Sequence, residues 1–207
     1  MRKVAGRLET GPASLYVYVR NQRELCGLVL DAIVAEAPRP AAGAGGHEGV
    51  VDLLLAYARQ LRAFPGAARL ALFTQPTGPA FLDLLESVMQ LLVGAGFSVG
   101  MAARAGDALF LLTTAAVAEQ DARSADGPAR SIPQLFDDAL DASSTSRPLL
   151  SAGHDALRVE SGELRLAWTL RALLSGVAQS PDDLGGPTTG TRRAIRHRPR
   201  TEGGRSR

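Results

Sequence analysis

The 207-residue chain has one cysteine, one tryptophan and a single lysine, Lys3, among 23 basic residues. Cys26 alone can neither close a disulfide within the chain nor build a thiolate metal cluster. Aromatic residues make up 5% of the sequence while hydrophobic residues make up 45%, so a core must rest on leucine, alanine and valine. That mixture favours helices packed on helices, because Ala and Leu lead the helix propensities and β-branched residues are comparatively few. No segment reads as a strand and no internal repeat is present. His47, His154 and His197 lie far apart and lack the spacing of a helical metal pair. His154 reads as a surface or capping residue, and neighbouring Asp155 and Glu163 do not form an acid/base pair. With no phosphate loop, nucleophile elbow or metal-ligand cluster, the sequence supports no enzymatic reading, and no cofactor or metal is expected. The start has no apolar core of a signal peptide, since Met1-Arg2-Lys3 leads into an amphipathic segment. The richest apolar stretch, Ala108–Ala118, falls short of the about 20 residues needed to span a bilayer. A soluble, cytoplasmic protein with no membrane partner is expected.

What the chain does have is a charge asymmetry. Its net charge is +2. The segment 1–25 sets Arg2, Lys3, Arg7, Arg20 and Arg23 against Glu9 and Glu24, and the segment 190–207 sets seven arginines against Glu202. A basic head and tail around an acidic body suit an end that meets a polyanion, nucleic acid first among them. The tail itself, from Ser180, is rich in Pro, Gly, Thr and Arg without apolar period and reads as disordered. Arg192–Arg207 is better taken as a solvated end than as a DNA arm.

Helical periodicity accounts for the rest. A short helix covers roughly Arg2–Glu9, with Val4, Ala5 and Leu8 on one face. Thr10-Gly11 breaks it, and Pro12 suits the first position of a new helix. Leu15 and Val19 give that helix, a rod running from Pro12 to Val19, its buried side. Asn21 with Glu24 forms a capping-box-like start for a third helix, Gln22–Ala37, whose stripe reads Leu25, Leu28, Val29, Ala32 and Ile33. Residues 38–47 form a Pro/Gly/Ala linker. Further helices follow at Glu48–Phe64, Ala67–Thr74, Ala80–Val93, Val99–Ala122 and Gly162–Ala178. The stretch 124–148 is polar and broken, with a short helix at Gln134–Leu140. Around Leu109–Leu112 the longest helix is apolar on every side and must be covered all round, by its own domain and a second subunit. Phe64, Phe73, Phe81, Phe110 and Trp168 are assigned to the core, and Cys26 to packing on the third helix. The expected protein is all-α, with a small head at 1–37, a helical bundle at 48–179 and a basic tail at 180–207.

The informative segment is VAGRLETGPASLYVYVRNQREL, Val4–Leu25. A short helix, a tight turn and a second short helix with apolar residues on one side describe a helix-turn-helix, whose second helix enters the major groove. Tyr16 and Tyr18, two apart, cannot share a helix face, so at least one is exposed. The segment resembles the heads of the tetracycline-repressor (TetR) family, which read like VAxRLGVSPASLYxHVxxKxEL. Val4-Ala5, Arg7-Leu8, Pro12-Ala13-Ser14-Leu15-Tyr16, Val19 and Glu24-Leu25 stand where that pattern wants them. The closing LRLAWTLRALLSGV resembles the family's last helix only generically.

The resemblance implies a DNA-binding transcriptional regulator, a ligand-released repressor acting as a homodimer on a double-stranded operator. It assigns Tyr16 and Ser14 to phosphates, and Pro12, Ala13, Val17 and Tyr18 to base edges, the apolar ones suited to thymine methyls. Gln22 occupies a position where the family often has a phosphate-binding lysine. An unidentified small-molecule effector would sit among helices corresponding to Leu54–Phe110, and release would follow a pendulum-like movement of the Gln22–Ala37 helix. Dimerisation would use Val99–Ala122 and Gly162–Ala178 in a four-helix bundle. Two departures stand out. Glu9 lies where glycine commonly ends the first helix, so a left-handed backbone there would cost about 1 kcal/mol. The chain also opens at Met1 inside what would be the second helix of a family head, so roughly 25–30 residues of a three-helix head are not in this sequence. Val4, Leu8, Leu15 and Leu25 are then expected to lack a covering surface. The alternative reading is a helical ligand-binding or dimerisation protein whose partial head no longer binds DNA.

Overall fold

A computed structural model describes residues 2–38, 45–74, 76–125, 137–139, 141–142, 146–157 and 162–180. Among these residues there are helices and turns but no strand, in keeping with the all-α expectation.

The head opens with α1 (Arg2–Arg7). Its end is a paired-carbonyl cap: Thr10 N–H donates to Ala5 O at 3.0 Å and Glu9 N–H to Gly6 O at 3.4 Å. That pattern needs a left-handed residue between the helix and the following turn. Glu9 supplies it, at φ 52°. The conformation anticipated at the position where glycine is common is therefore adopted by a residue with a Cβ. Glu9→Gly is expected to stabilise the head by about 1 kcal/mol. Slower amide exchange across Ala5–Thr10 would register the gain; unchanged exchange would mean that the left-handed turn carries no strain.

Gly11 is extended and Pro12 opens α2 (Pro12–Leu15) at its first position. The α-helix closes at Leu15, four residues short of the predicted end at Val19. Tyr16 N–H donates to Ala13 O at 3.1 Å and Tyr18 N–H to Leu15 O at 3.1 Å, so the chain stays coiled but tightens to i→i+3 bonds. Valines and tyrosines from position 16 onward are poor at propagating a helix, and no further turn packs on them to compensate.

The third helix, α3 (Gln22–Ala35), starts as its cap signal predicts. Asn21 Oδ1 accepts from Glu24 N–H at 2.9 Å. The returning arm is shifted by one residue, because the Glu24 carboxylate accepts from Arg20 N–H at 2.6 Å rather than from Asn21. Its last two predicted residues fall outside the helix, where Ala37 N–H reaches only Val34 O. The predicted stripe is corrected. Leu30, Ile33 and Val34 are the residues buried against the body, whereas Leu28, Val29 and Ala32 are exposed. Apolar residues cover so wide an arc of α3 that periodicity alone could not single out the packed side.

The body holds α4 (Gly46–Ala63), α5 (Ala67–Thr74), α6 (Pro79–Gly94), α7 (Val99–Ala125), α8 (Pro148–Ala152), α9 (His154–Leu157) and α10 (Gly162–Ala178). The predicted bounds of α5 and α10 coincide with those observed, and α7 runs three residues past Ala122. Neither α8 nor α9 was expected. Of the predicted helix Gln134–Leu140 only Asp137, Asp138 and Ala139 are described, and they are helical; its other residues, most of the 38–47 linker and the tail from residue 181 lie outside the described residues.

Almost every side of α4 is buried, because α6, α7 and α10 pack round it. It is tied to α10 by three ion pairs: Arg59 with Glu163, Arg62 with Glu163 at 3.8 Å, and Glu48 with Arg171 at 2.7 Å. The arginine partners hold both carboxyls below their ordinary range. Such surface pairs orient α10 more than they stabilise it. By length and hydropathy α7 could cross a bilayer, yet its inner side packs on α4, α5, α6 and α10 as a core helix. Phe81 and Phe110 lie inside, as expected. Phe64, Phe73 and Trp168 do not, and all three are exposed.

Candidate DNA-binding head and effector core

The turn between α1 and α2 sets which residues of the second helix face outward. Val19 is buried and Leu15 half-buried, so this edge anchors the segment to the head. The opposite edge is open: Tyr16 is 52%, Val17 79% and Tyr18 82% exposed. Ala13 and Ser14 are exposed beside them, Pro12 begins the helix, and Gln22 is exposed at the first position of α3. Of the predicted contact residues, then, Ala13, Ser14, Tyr16, Val17, Tyr18 and Gln22 all present outward. Three large side chains left in water at one tip mark a surface built to meet something.

The charge around this tip is positive. Arg2, Lys3, Arg7 and Arg23 are exposed on the same head. Arg20 is engaged by Glu24, at 3.2 Å, and its guanidinium and backbone N–H hold the Glu24 carboxyl below the usual range. Elsewhere on the head Val4 and Leu8 are exposed and Leu25 is half-buried.

Inside the body, three aromatic rings from three helices meet. Tyr57 of α4 packs edge-on against Phe110 of α7 with centroids 5.4 Å apart, and Phe110 packs against Phe81 of α6 at 5.1 Å. The Tyr57 hydroxyl is paired with Thr114 Oγ1 at 3.1 Å. Burial raises the phenol pKa and the Thr114 bond opposes that in part, so Tyr57 is neutral at physiological pH. Thr113, also buried, spends its hydroxyl on Leu109 O at 2.7 Å. The result is an apolar interior with one hydroxyl pair in it, reached through helices that touch α3.

Residues 41–180 match the family model described as the tetracyclin repressor-like C-terminal domain. The chain belongs to the TetR family of transcriptional regulators. It is 33% identical over 110 residues to an HTH-type transcriptional regulator of Saccharopolyspora erythraea, an alignment spanning 53% of this chain and 47% of that protein. It is 28% identical over 194 residues to the class E tetracycline repressor protein of Escherichia coli, covering 88% of this chain and 82% of that one. In structure it resembles the Streptomyces coelicolor TetR family protein ActR in complex with actinorhodin, with a TM-score of 0.72 at 30% identity over 86% of this chain and 84% of that one.

Two features of this TetR-family regulator escaped the sequence. The first is the outward side of α7 and α10. Leu164 and Trp168, 65% and 70% exposed, continue to Ala172 along one edge of α10, while Ala108, Leu111 and Ala115 form a matching exposed edge on α7. The i, i+4 spacing of Leu164 and Trp168 is the signal for this edge, whereas size and apolarity alone assign Trp168 to the core. The second is Asp31, the one carboxylate in the otherwise apolar stretch from Leu25 to Ala35 of α3, which reaches across to α6. Its isolation in an apolar helix was the available signal. His154 is half-buried, its Nε2 3.6 Å from Asp137. Cys26 is half-buried on α3, as a small packing residue would be.

Proposed function

We propose that this regulator is a repressor that binds a double-stranded DNA operator as a homodimer and leaves it when a small effector enters the body. The observation that carries the reading is the outward display of Tyr16, Val17 and Tyr18 on a helix-turn-helix whose other edge is sealed by Val19. In this assignment Ser14 and Tyr16 meet phosphates, while Pro12, Ala13, Val17 and Tyr18 face base edges. The exposed apolar edges of α7 and α10 pair with their symmetry mates, which sets two heads on adjacent major grooves about 34–36 Å apart. The effector sits at the Tyr57–Phe81–Phe110 cluster, a mostly apolar site with the Tyr57–Thr114 hydroxyls as its polar point. The complex of ActR with actinorhodin supports a small-molecule effector. A regulator of this kind works where the DNA is, in the cytoplasm, and is not an enzyme.

The test is selection from a random duplex library by the purified 207-residue chain. Enrichment of inverted repeats with half-sites one helical turn apart is the expected outcome. An unenriched library, with the chain still helical and dimeric, would instead favour a ligand-binding or dimerisation protein without DNA affinity. On the selected duplex, Gln22→Lys adds one phosphate contact, so the slope of log affinity against log salt steepens by about 0.9. Equal slopes for the two proteins would place Gln22 away from the backbone.

A further inference from the structure

Helix α6 begins without a capping side chain of its own. Its N-cap is Gly78, followed by Pro79, and no side chain of the N-cap residue reaches the first free N–H groups. The acceptor comes from another helix: Phe81 N–H, at the third position of α6, donates to Asp31 Oδ1 at 3.0 Å. Asp31 therefore does in trans what an N-cap carboxylate does in its own helix, with the favourable end of the helix dipole behind the amide. The fit is close. A Cβ on Gly78 would overlap the Asp31 carboxylate, so glycine is needed at this cap to let the two helices approach.

The two ends of this hydrogen bond matter for what they are attached to. Asp31 lies on α3, the helix that leads directly from the recognition segment. Elsewhere α3 packs on the body through the apolar face of Leu30, Ile33 and Val34, and apolar contacts tolerate sliding because they are non-directional. Phe81, whose amide is the donor, turns its ring into the aromatic cluster with Phe110 and Tyr57. One residue thus joins the interior of the body to the helix that carries the head.

We propose that Asp31 is a positioning residue that latches α3 to the start of α6, so that displacement of the Phe81 ring inside the body frees the head. This deepens the proposed function and rests on it for the identity of what the head binds. The latch itself is a property of one chain and can be tested without DNA or effector. A group that displaces the Phe81 ring together with the first turn of α6 moves the Phe81 amide, and the carboxylate then loses its directional partner. Only a ligand that favours one of the two arrangements can move the equilibrium.

The experiment places spin labels at Arg7 on α1 and Glu86 on α6, both exposed, in a Cys26→Ser background. Labelled chain diluted into unlabelled chain reports the head-to-body distance within one subunit. Asp31→Ala is expected to broaden the distance distribution, while Asp31→Asn, which keeps an oxygen acceptor, leaves it narrow. Gly78→Ala pushes the carboxylate away from the other side and is expected to broaden it equally. The double variant should be no worse than either single one, as for two changes that break the same contact. On the selected duplex the same variants should change affinity by roughly 5–150-fold, the range of ordinary coupling between sites, with Asp31→Asn near wild type. Narrow, unshifted distributions in both Asp31→Ala and Gly78→Ala would overturn the latch, and so would equal broadening by Asp31→Asn. Should Asp31→Ala lose its helical signal, Gly78→Ala against Asp31→Asn still decides. Failure to select any duplex would remove the operator reading while leaving the distance measurement to judge the latch.

Discussion

Replacing Tyr16 by alanine is expected to weaken binding to the selected duplex by about 10–150-fold, the loss of about 1.4–3 kcal/mol that removal of one good nucleic-acid contact brings. Tyr16 is half exposed at the close of α2, and its backbone N–H is spent on Ala13 O at 3.1 Å. The hydroxyl and the outer ring edge therefore remain available to a phosphate and its sugar. Because the side chain contributes little to the interior of the head, the variant should melt within a few degrees of the parent. Tyr16→Phe separates the two parts of the contact, keeping the ring and removing the hydroxyl. Tyr18→Ala should behave differently: as a base-edge residue it would lose discrimination between duplex sequences more than it loses affinity for duplex in general. Fluorescence anisotropy on the selected and on a scrambled duplex, at matched salt, measures both quantities. If Tyr16→Ala binds the selected duplex as tightly as the parent, the exposed edge of α2 is not the contact surface and the repressor reading fails with it.

The second large effect lies at the other end of the molecule. Trp168→Ala should raise the dimer dissociation constant by about 1,000-fold. Large aromatic anchors at interface centres are each worth about 2 kcal/mol or more. In a two-fold interface every substitution occurs twice, which makes about 4 kcal/mol in total. Trp168 is 70% exposed in the single chain, so its removal leaves no cavity in the α4–α7–α10 packing and helix content should not change. Sedimentation equilibrium gives the constant, and circular dichroism checks the fold. Loss of the dimer should also lower operator affinity steeply, since two heads held in one body bind as a unit. A dimer of unchanged strength after Trp168→Ala would move the subunit contact away from this face.

The parts of the architecture that could be read in advance are those governed by neighbours in the chain. Pro12 after Gly11, Asn21 three residues before Glu24, and the helical period of Gly162–Ala178 are each local signals, and each appears where expected. The turn at Glu9 could be anticipated for the same reason, since a helix end that closes on its own carbonyls needs a left-handed residue whatever the rest of the molecule does. The misreadings share a different cause. On α3 nearly every residue is apolar, so choosing between the Leu28–Val29 side and the Leu30–Ile33–Val34 side required knowing where α4, α5 and α6 lie. Size and apolarity predict burial for Trp168 and Phe73 only on average, and where a given large apolar residue ends up depends on which side of its helix the neighbouring helices cover. The α-helix from Pro12 closes before the predicted Val19 because turn-by-turn propensity is weak and its termination depends on what packs over it.

By itself the sequence determined the helical class, the helix-turn-helix at Val4–Leu25 and the outward set of Ala13, Tyr16, Val17 and Tyr18. All of these follow from propensity, capping and period, which are forces acting within a few residues. Only the tertiary structure decided which side of α3 meets the body, that Asp31 caps α6 across 50 residues of chain, and that Tyr57, Phe81 and Phe110 share one interior. Those pairings depend on the relative placement of whole helices, set by the summed burial of many side chains at once.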